Sequence, residues 1–137
     1  MIQVKNLTKR YGSKTVVNNV SFTIEKGEIV GFLGPNGAGK TTTMNMITGY
    51  TSFTSGSVSV DGHDILEEPD EAKKNIGYLP EFPPLYPDMT VGEYLNFVFD
   101  LKKCKFDRDV HLEQVLAATK LADTEKRLIK NLSKGYR

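Results

Sequence analysis

The sequence predicts an α/β fold, and three observations carry that prediction. An apolar run, Ile29 to Leu33, leads into a glycine-rich turn and then into Lys40 and three threonines, an order of strand, loop and helix. Ahead of it, Val20, Phe22 and Ile24 alternate with Ser21, Thr23 and Glu25, the period of a half-buried strand. Behind it, Val91, Tyr94, Leu95, Val98 and Leu101 follow helical spacing. At 137 residues the chain is one domain's worth, with room for a real core. A net charge of +1 with interspersed signs argues against a nucleic-acid surface, so no nucleic-acid partner is expected. No apolar run approaches the ~20 residues that cross a bilayer. The opening Met1–Lys5 stretch alternates like a strand and has no signal-peptide core, so a soluble protein is expected, its membrane role coming only through a partner. The one cysteine, Cys104, cannot form an internal disulfide, which points to a reducing compartment. With no histidine or second cysteine near it in sequence, it reads as a structural thiol.

Taken in order, Ile2, Val4 and Leu7 predict a first strand ending near Lys9-Arg10-Tyr11-Gly12, and Val16 to Glu25 a second. Lys26-Gly27 is a tight turn into the Ile29–Leu33 run, which reads as a buried parallel strand. The following helix is expected from about Gly39 to Thr48, with Met44, Ile47 and Thr48 on one side and Gly49 as its stop. Thr51 to Ser57 is polar and turn-rich. Val58 and Val60 alternate with serines before an Asp61-Gly62 turn. Glu68 to Asn75 predicts a short helix, and Ile76-Gly-Tyr-Leu79 a short strand closed by Pro80. Four of the six prolines fall in Pro80–Pro87, a stiff segment short of amide donors. Its Phe82, Leu85 and Tyr86 leave two readings open, a cap on the core or a docking surface. Thr90 with Glu93 forms a capping box for the next helix. A further helix from about Arg108 puts Leu112, Val115 and Leu116 on one face, and Ser133 is a second possible N-cap.

The chemistry concentrates in Gly34-Pro-Asn-Gly-Ala-Gly-Lys-Thr41, which fills the pattern G-x-x-x-x-G-K-S/T in its required setting. Glycines let the main chain approach a ligand closely. Successive N–H groups of Gly34, Pro35's neighbours Asn36, Gly37, Ala38 and Gly39, and the helix start at Lys40, Thr41 and Thr42 can wrap a phosphate, the helix presenting its positive end. Lys40 reaches the β- and γ-phosphates and the Thr41 hydroxyl takes one position on Mg²⁺. Tyr11 is either a base-stacking ring or an ordinary strand-end aromatic. His63 and His111 lack metal-ligand spacing and read as surface residues.

With the phosphate loop, the Pro80 loop and the ending Leu132-Ser-Lys-Gly-Tyr-Arg137, the chain resembles the ATP-binding-cassette (ABC) ATPases from residue 1 to residue 137, and within them the subunits that power bacterial drug, lipid or ion exporters. The resemblance implies a P-loop NTPase core of ABC type with an N-terminal antiparallel β patch and an inserted helical unit. It divides the chain into a β-rich and P-loop core (1–87), a helical unit (88–131) and the start of a signature motif (132–137). Gly34–Thr41 resembles the family's Walker A motif, and Tyr11 stands where the family has its adenine-stacking aromatic. Glu81 occupies the position of the Q-loop glutamine, whose place is beside Mg²⁺ and the transmembrane partner; a carboxylate keeps the oxygen ligand and adds a charge. Ser133 and Gly135 match signature residues that face the γ-phosphate of ATP held by the opposite subunit, while Lys134 and Tyr136 replace a glycine and a glutamine.

The resemblance further implies MgATP as ligand, a head-to-tail second copy and a transmembrane permease as partners, and a cytoplasmic location on the inner face of the membrane. A soluble cassette protein without a transport role is the alternative; such proteins carry paired cassettes and basic linkers, neither of which shows here. A P-loop kinase or GTPase fits the signature-like ending and the Tyr11 strand poorly. The family's Walker B aspartate, catalytic glutamate, D-loop and switch histidine follow the signature, so no catalytic residue is expected within these residues. This chain is expected to bind nucleotide without turning it over, to lack the C-terminal part of the core, and to be a fragment of a protein of roughly 200–300 residues, or unstable alone. In the family's sheet the strand entering Walker A is flanked by strands from later in the chain, so Ile29–Leu33 would lack core neighbours.

Overall fold

Two long strands, β1 (Ile2–Tyr11) and β2 (Lys14–Ile24), form an antiparallel hairpin around Gly12, in the computed structural model that describes residues 1–137. β1 also pairs antiparallel with β3 (Ser55–Val60), and β3 with the short β4 (His63–Asp64), giving the sheet order β2-β1-β3-β4. The hairpin register slips between Val4 and Leu7, where Asn6 and Asn19 both adopt positive φ and bond side chain to side chain at 2.9 Å. Asparagine tolerates that conformation through its short polar side chain.

The chain divides into two units, Met1–Tyr78 and Leu79–Arg137, each with its own core. In the first, helix α1 (Lys40–Ile47) packs on the sheet, and Val4, Leu7, Val17, Met46, Ile47, Val58 and Ile65 form the interior. α1 buries Thr43, Met46 and Ile47, whereas Met44 is exposed. The expected Met44 face is therefore corrected by one turn position: the residues at i, i+3 and i+4 from Thr43 meet the sheet. Gly49, at φ 68°, stops the helix as expected. A short helix, α2 (Pro69–Lys74), follows β4, with Pro69 in its first turn.

Both expected inner strands are absent. Residues 28–35 have no strand structure, and Ile29 and Leu33 are 102% and 92% exposed. Residues 76–80 are likewise irregular, with Leu79 exposed. A strand exists only where a neighbour accepts its backbone bonds. No segment of this chain ladders with either run, and all pairing in the sheet is antiparallel. The first run is tethered instead by Phe32, whose ring lies 5.8 Å from that of Phe22.

The second unit holds α3 (Val91–Leu101) and α4 (Arg108–Ala118). The capping box on α3 forms as expected, Glu93 N–H donating to Thr90 Oγ1 at 3.2 Å and Thr90 N–H donating to Glu93 Oε2 at 2.7 Å. Asp107 caps α4. Arg108 joins the two helices, pairing with Asp100, donating to Asn96 and lying over the Phe99 ring. Residues 87–92 run beside 125–130 through backbone bonds such as Ile129 N–H to Met89 O at 2.9 Å and Val91 N–H to Arg127 O at 3.1 Å. Val91, Leu116, Ile129 and Leu132 form the core of this unit.

Candidate functional site

The turn from Gly34 to Gly39 enters α1 through a left-handed residue. Gly37 has φ 82° and Gly39, the N-cap of α1, has φ 90°. A Cβ on Gly39 would meet Val16 O at 2.8 Å and Val17 Cγ2 at 3.1 Å, so the loop's exit is pressed against β2. The first N–H groups of any helix have no partner inside it. Here no side chain caps them and no acidic residue stands in the first turn, so the amides of Lys40, Thr41 and Thr42 leave an unneutralised positive helix end. Lys40 folds over the loop, its Nζ donating to Gly34 O at 2.7 Å and Pro35 O at 2.9 Å. Ala38 N–H closes the turn onto Pro35 O at 3.2 Å. Thr43 returns its hydroxyl to Gly39 O at 2.9 Å, while Thr41 is exposed at the helix start. A cation and a helix N-terminus with open amides thus lie together in one exposed loop, an arrangement suited to a polyanion.

Tyr11 ends β1 and is 55% exposed. Val17, which abuts Gly39, is the cross-strand partner of Lys9, two residues before Tyr11. The hairpin therefore carries the ring on the strand pair that buttresses the loop. Sequence reasoning passed over Lys9, although alternation places it on the same side of β1 as Tyr11. It also passed over the hydrogen bond from Tyr78 Oη to Asn45 Oδ1 at 2.8 Å, which ties α1 to the stretch entering the Pro80 loop.

Glu81, Ser133 and Gly135 belong to the second unit, and all three are exposed. Within it, Glu81 and Gly135 line one cleft of about 450 Å³ with Phe82, Leu85, Lys134 and Arg137. Leu132 is buried and anchors the approach; Ser133 then leaves the core. Tyr136 and Arg137 N–H groups both donate to Ser133 O, at 3.0 and 3.2 Å, which closes a single turn starting at Ser133. Arg137 holds that turn by donating to Leu132 O and Lys130 O. No group of three or more His, Cys, Asp or Glu side chains is arranged to hold a metal by itself. The Thr41 hydroxyl in the first unit and the Glu81 carboxylate in the second are each oxygen donors of the kind a hard cation takes.

A family model described as ABC transporter matches residues 17–137. The linearmycin resistance ATP-binding protein LnrL of Bacillus subtilis is 47% identical over 97 residues, covering 71% of this chain and 31% of LnrL. A solved structure described as the ATP-binding subunit of an ABC transporter aligns with a TM-score of 0.87 and 28% identity, over 98% of this chain and 57% of that one. An ATP-binding cassette solved as a dimer in a post-hydrolysis state with ADP and Pi aligns with a TM-score of 0.80 and 26% identity, over 99% of this chain and 65% of that one. The chain spans less than half the length of the curated relatives it matches.

Proposed function

Because the chain belongs to the ABC transporter family, we propose that it forms the nucleotide-gripping part of an ATPase subunit that binds MgATP and powers a membrane permease for drug, lipid or ion export. One observation carries the reading: an uncapped helix start, two left-handed glycines and the Lys40 ammonium meet in the Gly34–Thr42 loop. In that loop the amides of residues 36–42 take the β- and γ-phosphates, and Lys40 and the Ala38 N–H exchange their carbonyl partners for phosphate oxygens. Tyr11 stacks on adenine, sharing an apolar face with the base. Thr41 is assigned as a protein oxygen for Mg²⁺, which when bound would screen the charge of the phosphate oxygens, and the Glu81 carboxylate offers a further oxygen of the type a hard cation takes.

Ser133 and Gly135 supply a second anion site for the γ-phosphate of a nucleotide held by another copy, in a head-to-tail dimer. The exposure of Ser133 and Gly135 on the turn that closes onto Ser133 O supports that role. A cassette relative solved as a dimer with ADP and Pi supports both the ligand class and the pairing. The permease contact is assigned to the Pro80–Pro87 segment, whose Phe82 and Tyr86 are exposed. No helix is long and apolar enough to cross a membrane, and we assign the protein to the cytoplasmic face through its permease. These residues bind nucleotide; hydrolysis requires a group that orients the attacking water, and none of the residues named here is assigned that role.

The test is Lys40→Ala with ATP binding read by calorimetry. Loss of a charge-assisted contact to phosphate lowers affinity by about 10- to 100-fold. Unchanged ATP binding would overturn the loop assignment.

A further inference from the structure

Lys9 is the least expected charge in the first unit. It is only 9% exposed, and lysine is rarely that buried unless it is paired. Its Nζ donates to Ser52 O at 2.5 Å and lies 5.0 Å from the centroid of the Tyr11 ring. The geometry follows from the strand: residues two apart on β1 share a side, so the lysine stem runs beside the tyrosine. Two residues beyond that carbonyl the chain is joined to β1. Thr54 N–H donates to Thr8 O at 2.8 Å, and Arg10 N–H donates to Thr54 Oγ1 at 2.9 Å. The cation over the ring is therefore held by a main-chain carbonyl, two residues from an anchorage on β1, and not by a side chain.

We propose that Lys9 is a positioning residue for the base-stacking platform: its ammonium, clamped by the Ser52 carbonyl, holds the Tyr11 ring in one orientation ready for a nucleobase. The proposal rests on the reading of Tyr11 as the stacking ring. A ring already ordered by a cation gives up less side-chain freedom when a base arrives. Lys9 faces the ring and the Ser52 carbonyl, while the phosphates are bound by the Gly34–Thr42 loop. Its contribution therefore belongs to the base half of a nucleotide and not to the phosphate half.

ATP and inorganic tripolyphosphate binding, measured side by side, separate the two halves. Lys9→Gln keeps a donor for Ser52 O and removes the charge; Lys9→Arg keeps the charge. Lys9→Gln is expected to weaken ATP about two- to five-fold, the usual size of a cation–π contact, and to leave tripolyphosphate unchanged. Lys9→Arg is expected to restore ATP affinity, and Lys9→Gln is expected to add nothing in a Tyr11→Ala background. Equal weakening of ATP and tripolyphosphate marks Lys9 as a structural clamp and overturns the proposal, as does an effect that persists without the ring. If Tyr11→Ala weakens ATP but Lys9→Gln does not, the proposal alone falls. If Tyr11→Ala leaves ATP affinity intact, the stacking reading fails and takes the proposal with it. Lys9→Met, which keeps the stem, replaces Lys9→Gln if that variant does not fold, and tripolyphosphate binding reports an intact loop in every variant.

Discussion

Gly39 meets two demands at once: a left-handed φ of 90° and a backbone pressed against Val16. Alanine there is strained in conformation, and its Cβ meets the main-chain carbonyl oxygen of Val16 at 2.8 Å, so the loop or β2 has to shift. Gly39→Ala is expected to cost about 2–3 kcal/mol, measured by denaturant unfolding, and to weaken nucleotide binding as the loop amides shift. Gly37→Ala shares the left-handed φ but meets nothing within 4 Å, so about 1 kcal/mol is expected. Equal costs at the two sites would mean that contact with β2 does not constrain the loop. The glycine spacing was legible in the sequence because a phosphate loop is a local pattern. That Gly39 leans on Val16, and that Lys9 covers Tyr11, depend on hairpin register, which no local spacing encodes.

Among the elements, α3 is the one whose start was readable to the residue, since a capping box needs only Thr90 and Glu93. Thr90 holds the Glu93 carboxyl below the usual carboxylate range, its N–H being the larger cause and its hydroxyl the smaller. A depressed folded-state pKa means that the stabilisation is fully present above the unfolded value, near 4.3, and is lost as pH falls through the lower folded value. α3 should therefore lose stability on acidification below about pH 4.3. Glu93→Gln should remove the Glu93 share of that pH dependence, as followed by pH-jump unfolding of the two proteins. An unchanged acid limb would mean that the box does not carry the charge. Thr90→Ala should cost about 1 kcal/mol at neutral pH. The Ile29–Leu33 run failed as a strand for the opposite reason. Its apolar residues state a wish to be buried, but a strand also needs a partner ladder, and that is a property of other segments. α1 lies between these cases: its helical type was local, while its buried face was set by the sheet, which took Met46 and left Met44 outside.

At the scale of the molecule, each unit closes its own core while apolar residues remain uncovered beside it. Leu7, Val4, Val58 and Met46 are fully buried in the first unit, yet Ile29 and Leu33 in the same unit are almost wholly exposed. Edges and apolar runs of this kind recruit other chains. Two measurements on the 137-residue chain follow. In hydrogen exchange, the amides of residues 29–33 and 76–79 should exchange like those of an unstructured peptide, since no ladder protects them, while those of Val4 and Val58 should be strongly protected. Leu33→Lys should raise the concentration at which light scattering first detects association, and should leave unfolding within about 0.5 kcal/mol, as expected of an exposed position. Slow exchange across 29–33 would reveal a partner strand. A Leu33→Lys cost of about 2 kcal/mol or more would place Leu33 inside a core in solution. Either result would mean that the strand entering the phosphate loop is buried after all, and that the loop's geometry is held from the Leu33 side as well as by the packing of Gly39 on β2.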